Sequence, residues 1–146
     1  MMNILTLIAI GCHFGRPPVK QGYYVQHVEI SGHEFAFNRM IEGSVLRALA
    51  SNRAIGDKPL KLKCLMAQEN LVAVNNAGQI WELIVEMQVM LSTGQMMSVK
   101  DKERFIFQPP NTITFAEERH KAYQNVSDRI ADSLVKWVLF SQKEPR

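Results

Sequence analysis

Ile80 to Leu91 reads IWELIVEMQVML. From Trp81 on, every second residue is apolar (Trp81, Leu83, Val85, Met87, Val89, Leu91), and Glu82, Glu86 and Gln88 stand between them. A period of two marks a strand with one buried face. At 3.3 Å per residue this strand is roughly 40 Å long, so the fold has to supply a sheet around it and a layer to cover its apolar side.

Met96 to Phe107 is the natural partner. A two-residue Thr93-Gly94 loop would set Leu83 against Arg104 and Val85 against Lys102, putting charge on the apolar face. A three-residue loop, Thr93-Gly94-Gln95, sets Leu91 against Met97, Val89 against Val99, Leu83 against Phe105, Trp81 against Phe107 and, on the other face, Glu86 against Lys102. The second register is expected, with Gly94 at positive φ. It turns Asp101 and Glu103 inward, which reads as a bulge or as an edge guarded by inward charge.

Upstream, Leu60 to Met66 (LKLKCLM) alternates as a second strand, with Leu60, Leu62, Cys64 and Met66 on one face, and a loop around Asn75-Asn76-Ala77-Gly78 follows. Tyr23 to Ile30 alternates with Tyr24, Val28 and Ile30 on one side and Tyr23, His27 and Glu29 on the other. Ser31 to Glu34 has the Ser-x-x-Glu spacing of a capping box. A helix is expected after it, because Phe37, Met40, Ile41, Val45, Ala48 and Leu49 recur on one helical face. Asn52, Gly56 and Pro59 end that helix. Past Pro109-Pro110, Thr114 to Glu117 repeats the capping-box spacing and starts the last helix, with Glu117 and Glu118 at its positive end and Lys136 at its negative end. Tyr123, Val126, Ile130, Leu134 and Trp137 form its apolar stripe.

The expected fold is therefore α+β: a two-layer sandwich of a four-stranded, mostly antiparallel or mixed sheet with two helices on one face, in the order β-α-β-β-β-α. Residues 12–146 form a single domain, and residues 1–11 are a lipoprotein signal remnant or a first strand.

The chain has 146 residues, 47% of them hydrophobic and 21% charged, the balance of an ordered globular domain. A net charge of +3 favours anionic partners without choosing among them. Two cysteines make no disulfide framework, and Cys64 reads as a small buried hydrophobe. The run Ile4 to Ile10 ends in Gly11-Cys12 and then turns polar at His13, Arg16, Pro17 and Pro18. It reads either as the end of a lipoprotein signal, with Cys12 the lipidated first residue, or as a buried strand.

No phosphate loop, dinucleotide fingerprint, nucleophile elbow, HExxH or CxxC pattern occurs. His13, His27, His33 and His120 are scattered, and neighbouring Glu117 and Glu118 do not face each other on a helix. No catalytic residue, metal site or cofactor is expected. One constellation stands out. Lys100, Lys102 and Arg104 align at period two on the outer face of their strand, and Lys61 and Lys63 occupy the outer face of another. They form either a solvated face partly neutralised by Glu82 and Glu86 or a grip for phosphates. Without interleaved aromatics the face does not suit nucleic acid.

Several strings resemble the LPS-assembly lipoprotein family, LptE: Gly11-Cys12 followed by His13-Phe14 and Arg16; Phe37-Asn38-Arg39 through Leu49; Asn75 to Leu91; and Asp128-Arg129-x-Ala131-x-x-Leu134. The resemblance covers nearly the whole chain. It implies a two-layer α/β sandwich anchored by lipid at Cys12 on the periplasmic face of the outer membrane. It also implies a partner, an LptD-like β-barrel that the protein plugs and helps assemble, and lipopolysaccharide as ligand. Where some relatives carry a basic residue before the long strand, this chain has Asn75 or Asn76, and near the start of the last helix it has Phe115. Lys100, Lys102, Arg104, Lys61 and Lys63 are then the substitute candidates for the lipopolysaccharide phosphates. The competing readings are an adaptor lipoprotein or periplasmic protein of another envelope or secretion machine, and a cytoplasmic binding module.

Overall fold

The computed structural model describes residues 22–30, 35–109 and 112–142. Cys12, the Ile4 to Ile10 run and the Ser31 to Glu34 capping box lie outside them. The elements are β1 (Tyr23–Ile30), α1 (Phe35–Ser51), β2 (Lys58–Asn75), β3 (Gly78–Leu91), β4 (Met96–Phe107) and α2 (Thr112–Ser141). One four-stranded sheet runs β1-β2-β3-β4. β1 and β2 are parallel, the other pairs antiparallel. A parallel pair needs a long crossover, and α1 supplies it. The expected α+β sandwich of order β-α-β-β-β-α is the fold observed.

The long alternating strand carries the core. Leu83, Val85, Met87 and Val89 of β3 are fully buried, and they meet Phe37, Ile41, Val45 and Leu49 of α1 and Val126, Ile130, Leu134 and Val138 of α2 in one cluster. Each helix thus buries the stripe its periodicity marked, and together the helices cover one face of the sheet. No described helix is long and apolar enough to cross a membrane.

Several local readings need correction. The β3–β4 register pairs Trp81 with Phe105, Leu83 with Glu103, Val85 with Asp101 and Glu86 with Lys100, two residues away from the expected one. The loop is Ser92-Thr93-Gly94: Leu91 N–H donates to Gln95 O and Gly94 N–H to Leu91 O, both at 2.9 Å. Gly94 does sit at a φ of 87°, which closes a three-residue turn with a residue no bulky side chain would suit. Asp101 and Glu103 do turn inward, and β3 and β4 pair without a bulge.

β2 runs on to Asn75, well past Met66, and the expected loop is confined to the turn after Asn75. A register shift between Cys64 and Met66 reverses its alternation. Leu60, Leu62 and Cys64 are buried before the shift and Ala67 packs on the core after it, while Met66 pairs with Glu86 on the outer face. In β1 a shift between Val25 and His27 does the same: Tyr23 is 5% exposed and Tyr24 40%, and Val25 and Val28 join Tyr23 against the core. α2 begins at Thr112, ahead of the expected cap at Thr114, and ends at Ser141, so Glu117, Glu118 and Lys136 lie outside its terminal turns. Lys136 pairs instead with Asp132 at 2.6 Å. Pro59 lies inside β2, and α1 closes at Arg53, whose φ is 53°.

Candidate functional site

The open face of the sheet lies opposite the helices and is set by the strand alternation. Because Leu60, Leu62 and Cys64 face the core, Lys61 and Lys63 face away. The same parity exposes Lys100, Lys102 and Arg104 on β4. All five cations named from the sequence therefore share this face. The registers then order them. Lys61 lies across from Met90 and Lys63 from Gln88; Lys100 lies across from Glu86, Lys102 from Ile84 and Arg104 from Glu82. Each cation stands opposite the next outward residue of β3, and the five form one diagonal band in place of two parallel rows. With two residues per step the band is roughly 27 Å long, and it crosses from β2 to β4, roughly 10 Å apart.

The charges along the band are unevenly engaged. Glu82, its side chain 14% exposed, accepts a hydrogen bond from Arg104 Nε at 3.0 Å and lies 3.7 Å from Lys102 Nζ. The Arg104 hydrogen bond is the main reason its carboxyl is held below the ordinary value; burial opposes it, and the charges of Lys102 and Arg104 act in the same direction as the bond. Lys63 Nζ stands 3.6 Å from Glu29. Lys61 and Lys100 have no carboxylate in ion-pair range among the described residues. Glu86, expected to neutralise part of the strip, makes no such pair with Lys100 or Lys102.

Lys61 also lines a cleft of about 340 Å³ between Gln26, Pro59, Met90 and the Ser92–Gly94 turn. A cation beside apolar walls suits an amphiphile with an anionic head and an alkyl body. The sequence reading missed this cleft, because it exists only where the β1 irregularity, the start of β2 and the β3–β4 turn meet. Its one legible signal was Gly94.

The opposite end of the sheet differs. Asn75 and Asn76 line a recess of about 530 Å³ with Gly78, Gln79, Gln108 and Pro109, and none of its lining residues is charged. Phe115 packs against Trp81, Phe105 and Phe107, with ring centroids 5.9, 5.7 and 4.7 Å away. It anchors the start of α2 to the sheet. The apolar side chains of Leu71, Val72, Val74, Ile106 and Ile113 remain exposed on elements at this end.

Cys64 is buried, and burial raises its thiol above the ordinary value, so it is held as the unreactive thiol. Among the described residues no three His, Cys, Asp or Glu side chains gather as a metal site would require.

No protein-family model matches the sequence, and no curated protein does. Solved structures match the fold. The minor lipoprotein of Acinetobacter baumannii superposes with a TM-score of 0.53 at 13% identity, over 88% of this chain and 100% of the other. Rare lipoprotein B of Shewanella oneidensis gives 0.52 at 14% identity, over 80% and 96%. The solution structure of an uncharacterized lipoprotein B from Nitrosomonas europaea gives 0.53 at 11% identity, over 88% and 91%. The chain has the fold of these bacterial lipoproteins.

Proposed function

We propose that this protein is an outer-membrane lipoprotein of the LptE kind, anchored by lipid at Cys12, seated in an LptD-like β-barrel, and assisting lipopolysaccharide assembly through its open sheet face. The observation that carries the reading is the fold shared with the Acinetobacter baumannii lipoprotein over 88% of the chain. The apolar run ending in Gly11-Cys12 supports the anchor.

The chemistry of the open face supports the ligand. Lipopolysaccharide offers phosphates and alkyl chains together. The face offers cations in a diagonal, with Ile84, Met90 and Met66 between them and the apolar cleft at the Lys61 end. Cations at a membrane-like surface contribute about 1 kcal/mol each toward an anionic lipid, and Lys61 and Lys100, with no carboxylate in ion-pair range among the described residues, are the two of the band best placed to do so.

Affinity purification of the native, full-length protein from outer membrane tests the reading. An LptD-like barrel should co-purify in stoichiometric amount, and the protein's N-terminus should be an acylated Cys12 by mass spectrometry. Recovery with a different envelope machine and no barrel would favour the adaptor reading, and an intact Met1 or Met2 would favour the cytoplasmic module.

A further inference from the structure

The long edge of β4 carries a guard that the open-face reading does not use. Leu91 N–H bonds Gln95 O across the turn, so Leu91 and Gln95 are a hydrogen-bonded pair. Hydrogen-bonded and non-hydrogen-bonded pairs alternate along an antiparallel ladder. Counting from that pair, the odd residues of β4 bond to β3, while Ser98, Lys100, Lys102, Arg104 and Ile106 turn their N–H and C=O groups outward along an edge that pairs with no other strand among the described residues. A row of unpaired backbone groups of this length is a template for a second strand.

At the middle of the row both outward groups are taken. The Lys102 N–H donates to Asp101 Oδ1 at 2.8 Å, and the Lys102 carbonyl accepts from an Arg129 terminal nitrogen at 3.0 Å. Arg129 reaches there from α2. Its Nε donates to Asp101 Oδ2 at 2.6 Å, and the terminal nitrogen that meets the carbonyl also lies 2.8 Å from Glu103 Oε2. Asn125 donates to the other Glu103 oxygen at 3.4 Å. A planar guanidinium can hold two carboxylates and a carbonyl at once, which an ammonium on a flexible stem cannot.

We propose that Arg129, held by Asp101 and Glu103, plugs the β4 edge at Lys102 and so keeps the protein from adding a strand of a second copy there. With Lys102 occupied, an incoming strand finds only the short stretches Ser98–Lys100 and Arg104–Ile106 on either side. A second guard is electrostatic. Two β4 edges meeting antiparallel about Lys102 would bring two sets of Lys100, Lys102 and Arg104 side by side, and salt would screen that repulsion.

The test is the mass of the full chain by analytical ultracentrifugation at low and high salt, for wild type and Arg129→Gln. Wild type should stay monomeric throughout. The variant should form a dimer that grows with salt, and the Lys100 and Arg104 amides should become at least tenfold slower to exchange. Adding Lys100→Pro, at a position whose N–H makes no bond to β3, should return the variant to monomer. If Arg129→Gln does not fold, the set Asp101→Asn, Glu103→Gln and Arg129→Gln, which leaves no uncompensated charge at the cluster, takes its place, with the same expected dimer. A folded variant that stays monomeric at high salt overturns the proposal, and so does a dimer that the proline leaves intact.

Discussion

Tyr123 on α2 donates its hydroxyl hydrogen to Glu69 Oε1 of β2 at 2.7 Å, across 54 residues of sequence. Arg119 Nε reaches the same oxygen at 2.7 Å and stacks over the Tyr123 ring, 5.2 Å from its centroid. Phe37 of α1 meets that ring edge-on at 5.1 Å. One tyrosine thus ties both helices to the distal half of β2.

Burial first, then the hydrogen bond and charge of Glu69, push the Tyr123 hydroxyl well above the ordinary tyrosine value. A folded value above the unfolded one means stability that is complete below pH about 10 and is lost as pH rises beyond it. Urea midpoints should therefore fall between pH 10 and 12 in wild type and fall less in Tyr123→Phe. At pH 7 that variant should lose about 1 kcal/mol, and Glu69→Ala, which removes the acceptor of the half-buried Tyr123 hydroxyl, up to about 3 kcal/mol.

Asp128 holds the two helices together. Its Oδ1 accepts from Ser44 Oγ at 2.7 Å, Arg47 at 2.9 Å and Gln124 at 3.0 Å. Partial burial pushes its carboxyl up, but these three hydrogen bonds and the Arg47 charge together outweigh that and hold it below the ordinary value. The stability it adds is present above the unfolded value of about 3.9 and is lost as pH falls through the folded one. The side chain is half exposed, so solvent screening limits the effect. Asp128→Asn should cost about 1 kcal/mol at pH 7, and calorimetry should show the gap closing as the pH is lowered past 4. A gap that stays constant to pH 2 would mean the carboxylate charge is not what holds the helices.

Arg53 sits in the left-handed region that ends α1. Its N–H bonds Ala50 O at 3.0 Å and the Ala54 N–H bonds Leu49 O at 2.8 Å, the two bonds of a Schellman cap, with Ala54 buried beyond it. A side chain in that conformation costs about 1 kcal/mol. Arg53→Gly should raise the urea midpoint by an amount equivalent to about 0.5 kcal/mol at an unchanged slope, since glycine's extra unfolded-state entropy offsets part of the relief. A lowered midpoint would assign the arginine side chain a packing role.

The strands and helices were legible where their period was regular: β3 and both helical stripes needed only the spacing of apolar residues. The β3–β4 register was misread by two because a slip of two keeps every side chain on its face, whereas a slip of one would have been visible. The distal half of β2 was missed for a different reason. The shift after Cys64 reverses the alternation, and Glu69, which turns toward Arg119 and Tyr123 of α2, reads in sequence as a surface residue. The five cations were visible singly, but their diagonal depends on two registers at once. Arg129 was visible as a residue of the last helix, yet its reach to Asp101 and Glu103 depends on how α2 lies over β4.

Lipopolysaccharide binding is the most direct test of the open face, measured for wild type and for Lys61→Gln with Lys100→Gln, the two band cations that no carboxylate pairs among the described residues. At about 1 kcal/mol per cation the double variant should bind roughly thirtyfold more weakly at low salt. The gap should narrow near 0.5 M salt, where exposed charges are screened. Equal affinities of the two proteins at low salt would contradict the assignment of this face to a phosphate-bearing ligand.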